Sequence, residues 1–240
     1  MRALRILLIV VVVLGGLFVL ADRLAVHFAE GEAADNLRTS ENLASTPDVS
    51  IKGFPFLTQV AGGSLDDVEV GIKSYQADTG NGGEPIRIDD LKASMKGVRF
   101  SSDFGSATAS TARGTASITY DQLLKAAKSQ PTDLGFGLTA RVVSLADGGN
   151  GKIKVGVSAA GLPTVFVLSS MSVEGDTVRV HADSLPSIGG VRIGENQVRS
   201  VTDFEQKIDD LPGGIRLDTV VPAKNGVEIT VKGSGVRLAG

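Results

Sequence analysis

Aliphatic and polar residues alternate with a period of two along most of the body of this chain, and that pattern restricts it to sheet architectures. The clearest case runs from Ser64 to Ser74, with Val68, Val70 and Ile72 on one face and Glu69, Gly71 and Lys73 on the other. Further runs cover Ile86 to Met95, Ala107 to Thr119, Leu134 to Leu145, Lys152 to Ala159, Thr164 to Val173 and Asp176 to Ala182. Two more follow, Ile215 to Val221 and Val227 to Val231. Glycine-rich turns separate them at Asp78–Gly83, Asp147–Gly151, Glu174–Asp176 and Lys224–Gly226. At Asp89–Asp90 the parity of the apolar residues changes, which predicts a β-bulge with the acids at the bend. Adjacent strand residues point to opposite faces, so this pair reads as a bulge and not as an acid–base couple.

A different pattern governs the N-terminus. Arg2 and Arg5 precede an uncharged run, Ile6 to Ala21, closed by Asp22–Arg23. As a helix the run spans roughly 24 Å, short of the ~30 Å hydrocarbon core of a bilayer. It reads either as a signal peptide cleaved after Val19–Leu20–Ala21 or as an uncleaved anchor oriented by its two arginines. Both readings export the body. Residues 1–21 are therefore set apart from a single domain over 22–240. That domain opens with an amphipathic helix from Asp22 to Leu43, in which Leu24, Phe28, Val26, Ala29, Ala33 and Leu37 recur at helical spacing. Thr46–Pro47 stops it.

Between helix and first strand lies Gly53-Phe54-Pro55-Phe56-Leu57-Thr58-Gln59, two large rings around a proline. Gln59 and Gly62–Gly63 are expected to turn the chain into the strand. Two short helices are expected later, Tyr120 to Ser129 and Asp203 to Asp210. The second carries Thr202 with Glu205 three residues on, a capping-box pattern.

Composition removes several function classes. The formal charge is −3, and beyond residue 21 the body holds 22 basic against 27 acidic residues, a net of −5. A mildly acidic surface without a basic cluster argues against nucleic acid and against electrostatic adsorption to anionic lipid. Cysteine is absent, so disulfides, thiolate metal sites and cysteine nucleophiles are absent too. No nucleophile elbow, Ser-x-x-Lys pair, P-loop or His-Glu-x-x-His is present. Gly135 to Ala140 fits a relaxed dinucleotide fingerprint but runs into a strand, so no helix N-terminus meets a phosphate. Asp147–Gly151 lacks the distal acidic ligand of a cation loop. His27 and His181 stand far apart, and no catalytic residue, metal site or cofactor is assigned.

Gly-Phe-Pro-Phe-Leu-Thr-Gln-x-x-x-Gly at 53–63 closely resembles the actinobacterial LmeA-like phospholipid-binding family. So do Leu65 to Val70, Ile88-Asp89-Asp90-Leu91 leading to Met95-Lys96-Gly97-Val98, and Leu211–Pro212 followed by strands around Asn225-Gly226-Val227. The resemblance implies an α+β fold, a curved antiparallel sheet wrapped about a long N-terminal helix, similar to one half of the tubular lipid-binding proteins. It also implies a cell-envelope protein that binds phospholipids such as phosphatidylinositol and is linked to lipomannan and lipoarabinomannan elongation.

The leading expectation is a non-enzymatic lipid binder that holds acyl chains in an apolar groove, anchored to the cytoplasmic membrane through its N-terminal helix. Candidate groove residues are Phe54, Phe56, Leu57, Val68, Val70, Ile72, Leu91 and Met95. The alternative is a membrane-anchored adaptor that stabilises an envelope glycosyltransferase. A third reading, a hydrolase using His181 and distant acids, has no motif behind it.

Overall fold

Nothing interrupts helix formation between the apolar run and the amphipathic segment, and in a computed structural model the two form one helix, α1 (Arg2–Ser40). The structure describes residues 2–77, 85–102, 105–127, 132–133, 139–159, 163–175, 177–183, 199, 201–207 and 214–239. The loop expected at Asp78–Gly83, the segment from Leu185 to Gly194, Leu211–Pro212 and most of Gly135 to Ala140 lie outside these residues.

After α1 come β1 (Asp48–Lys52), α2 (Phe56–Ala61), β2 (Ser64–Ala77), β3 (Ile86–Phe100), β4 (Ala107–Thr119) and α3 (Tyr120–Ala127). Then follow β5 (Thr132–Asp133), β6 (Thr139–Gly149), β7 (Lys152–Ala159), β8 (Val165–Glu174) and β9 (Thr177–Ala182). The chain closes with β10 (Phe204–Lys207), β11 (Arg216–Ala223) and β12 (Gly226–Ala239). This is an α+β fold with a long N-terminal helix and two antiparallel, unclosed sheets. One sheet runs β1-β2-β3-β4-β12-β11 and the other β10-β9-β8-β7-β6-β5.

The described chain divides into two compact units. The first comprises 1–72, 92–112 and 234–240. It buries Val26 and Ala34 of α1, Phe56 of α2, and Leu65, Ile72, Val98, Ala109, Ala112 and Val236 of the strands. The second comprises 73–91 and 113–233. Its core cluster joins Ile118, Leu217, Val220 and Val227 of one sheet to Ile153, Val155 and Val178 of the other, with Tyr120 at the start of α3. Full burial of each such aliphatic side chain contributes about 1.5–3 kcal/mol.

Within the second unit the β11–β12 turn is fastened to the start of α3. The Tyr120 hydroxyl donates to the Ala223 carbonyl at 2.9 Å, and the Tyr120 amide donates to that of Asn225 at 3.2 Å. Gly226 follows at a very close approach, since a Cβ there would lie 2.1 Å from the Ile118 carbonyl oxygen. Only glycine fits.

Several elements differ from the sequence reading, each for a physical reason. Phe56–Ala61 is a short helix where a turn was expected, because its amides find a partner on α1 that local sequence cannot reveal. The second helix, expected over Asp203 to Asp210, is replaced at Phe204–Lys207 by strand β10, paired with Val180 to Thr177. Ladder bonds to β9 displace the capping box, and Thr202 gives its hydroxyl to the Asp203 carboxylate instead. β12 extends past Val231 to Ala239. Gly235, at φ +61°, switches the apolar parity from Val227, Ile229 and Val231 to Val236 and Leu238. Asp90 likewise takes φ +50° inside β3, where the bulge was expected.

Gly226→Ala should lower stability by about 1–3 kcal/mol, the usual range for overpacking. Gly71→Ala, whose Cβ would meet nothing nearer than 3.7 Å, should leave it nearly unchanged. Thermal or denaturant unfolding midpoints of the two variants provide the comparison.

Candidate functional site: an apolar groove beside the N-terminal helix

In the first unit, the last turns of α1 run past the strands without closing on them. The space left is an open groove of about 630 Å³, lined by Ala33, Asn36, Leu37, Thr39 and Ser40 of α1, Val49 of β1, Val68 and Val70 of β2, and Leu238 of β12. Alanine at position 33 is too short to fill the gap, while Leu37 and the three valines give it aliphatic walls. Polar side chains occur on one side only, from the final turn of the helix. The Thr39 hydroxyl donates to the Asp35 carbonyl and that of Ser40 to Leu37, so each leaves its oxygen as an acceptor. An open groove of this size, with aliphatic walls and polar groups at one side, has room for a hydrocarbon with a polar end.

The groove persists because α1 is held at fixed points along its length. Asp22 is completely buried, and its Oδ1 accepts the Leu57 amide at 2.8 Å. This caps α2 from another element, where the preceding residue, Pro55, provides no side-chain cap. The guanidinium of Arg23 bonds the same carboxylate and lies 5.2 Å from the centre of the Phe54 ring. Two turns on, Glu30 Oε1 accepts the Ile51 amide of edge strand β1 at 2.8 Å. Gln59 ties α2 to the start of β2, its Oε1 accepting the Asp66 amide at 2.8 Å. Gly53, at φ +97°, leaves room for this side chain, since a Cβ would stand 2.5 Å from Gln59 Nε2. The Gly-Phe-Pro-Phe motif is thus the joint between helix and sheet.

Of the eight residues expected to line a groove, Val68 and Val70 do so here. Phe56 and Ile72 are buried, Leu91 and Met95 are half-buried, and Phe54 and Leu57 are exposed away from it. Ala33 and Leu37, already placed on the apolar face of the helix by their spacing, line the opposite wall. Val49 and Leu238 carried no such signal, because pairing across the sheet brings them there.

Among the described residues, the cluster that bears on the hydrolase reading surrounds His181. Its Nδ1 stands 2.8 Å from Asp203 Oδ2, with Arg199 also on that oxygen at 3.3 Å. Asp203 Oδ1 accepts the Ala182 amide at 2.9 Å, so the carboxylate stitches residues 199–203 to β9. Burial pushes the Asp203 carboxyl up, but the bonds from Ala182, Thr202 and Arg199, with the His181 charge, outweigh it and hold it below its ordinary value. Among the described residues no group of three His, Asp or Glu side chains is disposed to hold a metal.

The profile of the LmeA-like phospholipid-binding family matches residues 20–232, from the end of the apolar run to the middle of β12. The chain belongs to the LmeA-like phospholipid-binding family. No curated protein and no solved structure matches it. Membership gives this chain a lipid-binding role, and the apolar groove is the feature of its first unit suited to one.

Asp22→Ala should release α2 from the helix and speed amide exchange at Leu57 by at least about tenfold, with the second unit's core amides unaffected. The Asp203 stitch has a defined pH range. Its folded carboxyl lies below the ordinary 3.8, so its contribution is complete above 3.8 and is lost as pH falls through the lower folded value. The protection factor at Ala182 should hold above 3.8, decline as pH falls from there towards the lower folded value and level off below it, and Asp203→Asn should abolish the dependence.

Proposed function

We propose that this protein is a non-enzymatic phospholipid binder of the cell envelope that holds an acyl chain in the groove between α1 and the strands. One observation carries the reading. In a member of a phospholipid-binding family, a groove of about 630 Å³ with aliphatic walls and polar groups at one side stands open beside the N-terminal helix. Each buried methylene contributes about 0.8 kcal/mol, so ten of them supply roughly 8 kcal/mol before the cost of ordering the chain is subtracted. The hydroxyls of Thr39 and Ser40 and the Asn36 amide suit the ester and headgroup end of the lipid.

The finer assignments rest on kinship and on the apolar N-terminal run. They are export to the outer face of the cytoplasmic membrane, a phosphatidylinositol-type headgroup, and support of lipomannan elongation. The N-terminal helix is long and apolar enough to cross a membrane and has none of its apolar window buried, which suits either an anchor or a signal sequence.

Filling the groove tests the proposal. Full-length protein should carry extractable phospholipid, detected by mass spectrometry, and bind it saturably. The double variant Ala33→Phe, Val70→Phe should bind at least about tenfold more weakly, a difference of about 1.4 kcal/mol, with its unfolding midpoint kept. Saturable binding that is equal in both proteins overturns the groove. Undiminished crosslinking of the filled variant to a membrane glycosyltransferase would favour the adaptor role.

A further inference from the structure

Phe54 and Leu57 do not line the groove, yet both are exposed, at 57% and 37%. They sit beside the first residues past the apolar run: the Phe54 ring lies 5.2 Å from the Arg23 guanidinium, and the Leu57 amide is bonded to Asp22. On α1 itself, Leu24 and Phe28 are exposed at 54% and 78%. Those two are four residues apart and share one helix face. Asp22, Val26 and Ala34 are buried on the protein side. Following Leu20, Leu24 and Phe28 at the same spacing, Glu32 ends the apolar stripe.

We propose that Leu24, Phe28, Phe54 and Leu57 form a foot that seats the first unit in the interfacial layer of a lipid bilayer. Continuity with the apolar helix is the first argument. Among the described residues none covers the apolar window of that helix, and the four side chains follow directly from it, on α1 and on the segment capped to it. The second argument is length. Ile6 to Ala21 spans roughly 24 Å against a hydrocarbon core of ~30 Å, a shortfall of about four residues. The bilayer meets a short span by drawing in the flanking turn, which here is Asp22 to Ala25.

That turn is built for the position. Asp22 offers no bare charge to lipid, being wholly buried with its carboxylate taken by Arg23 and the Leu57 amide. Arg23 keeps its head over an aromatic ring, from which it reaches outward to phosphates. The foot therefore places the first unit directly against the membrane that supplies its lipid.

The chain contains no tryptophan, so single substitutions make clean depth probes. Full-length Phe54→Trp, Leu57→Trp and Glu32→Trp variants are reconstituted into phosphatidylcholine vesicles containing lipid brominated near the carbonyl end of its acyl chains. Glu32 lies ~16 Å beyond Ala21 along the helix, past the headgroup layer. Loss of emission at positions 54 and 57, with emission retained at 32, is the expected result. Equal quenching at 54 and 32, or none at 54 and 57, overturns the foot. A Leu238→Trp variant reads the groove separately. Quenching at 238 but not at 54 or 57 defeats the foot and leaves acyl binding standing; the reverse supports the foot and defeats the groove.

Discussion

A carboxylate on one element holding the backbone amides of another is the interaction on which the first unit depends. Asp22 takes the Leu57 amide of α2, and Glu30 takes the Ile51 amide of β1. Both amides would otherwise be orphaned, one in the first turn of a helix and one at a sheet edge, and unpaired buried donors are costly. The same bonds fix where α1 lies. A helix held by purely apolar contact could slide or tilt until its last turns closed on the strands. Held by bonds to named amides, it stays in place, and the gap at its C-terminal end remains open.

That gap is where family membership and geometry meet. The walls are ordinary core residues by type, and at most positions of this chain such residues are simply buried against one another. The second unit makes the contrast clear, since there the valines, isoleucines and leucines of two sheets meet in one filled cluster. In the first unit, Ala33 stands where a longer side chain would complete the packing, and the space goes unfilled. A lipid tail is chemically equivalent to the side chains that are missing.

The fold was largely legible in the sequence, and the site only partly. Period-two alternation marked β7, β8 and β9 to within a residue and β2 to within three, because a strand with one buried face must alternate, and a run of small residues marked β4. Elements decided by distant partners were not legible. Phe204–Lys207 carries a good capping box in front of it yet pairs with β9, and Phe56–Ala61 becomes helical only with Asp22 at its end. The groove shows the same division: Val68, Val70, Ala33 and Leu37 declare themselves by spacing, whereas Val49 and Leu238 reach it through strand pairing. Phe54 and Leu57 look like lining residues by composition alone, and their place outside the groove follows from the cap that sets α2's orientation.

The sequence by itself determined the class of protein: an apolar N-terminal run, a body of one-sided strands, no cysteine, no catalytic motif, and enough of a family pattern to point to lipid. Those features are local or compositional, so they survive without a partner to complete them. Tertiary structure alone decided which apolar residues pack against each other and which face open space. That outcome depends on which residues meet, as 22 and 57 do, and which line one groove, as 70 and 238 do, and no periodicity along the chain encodes either.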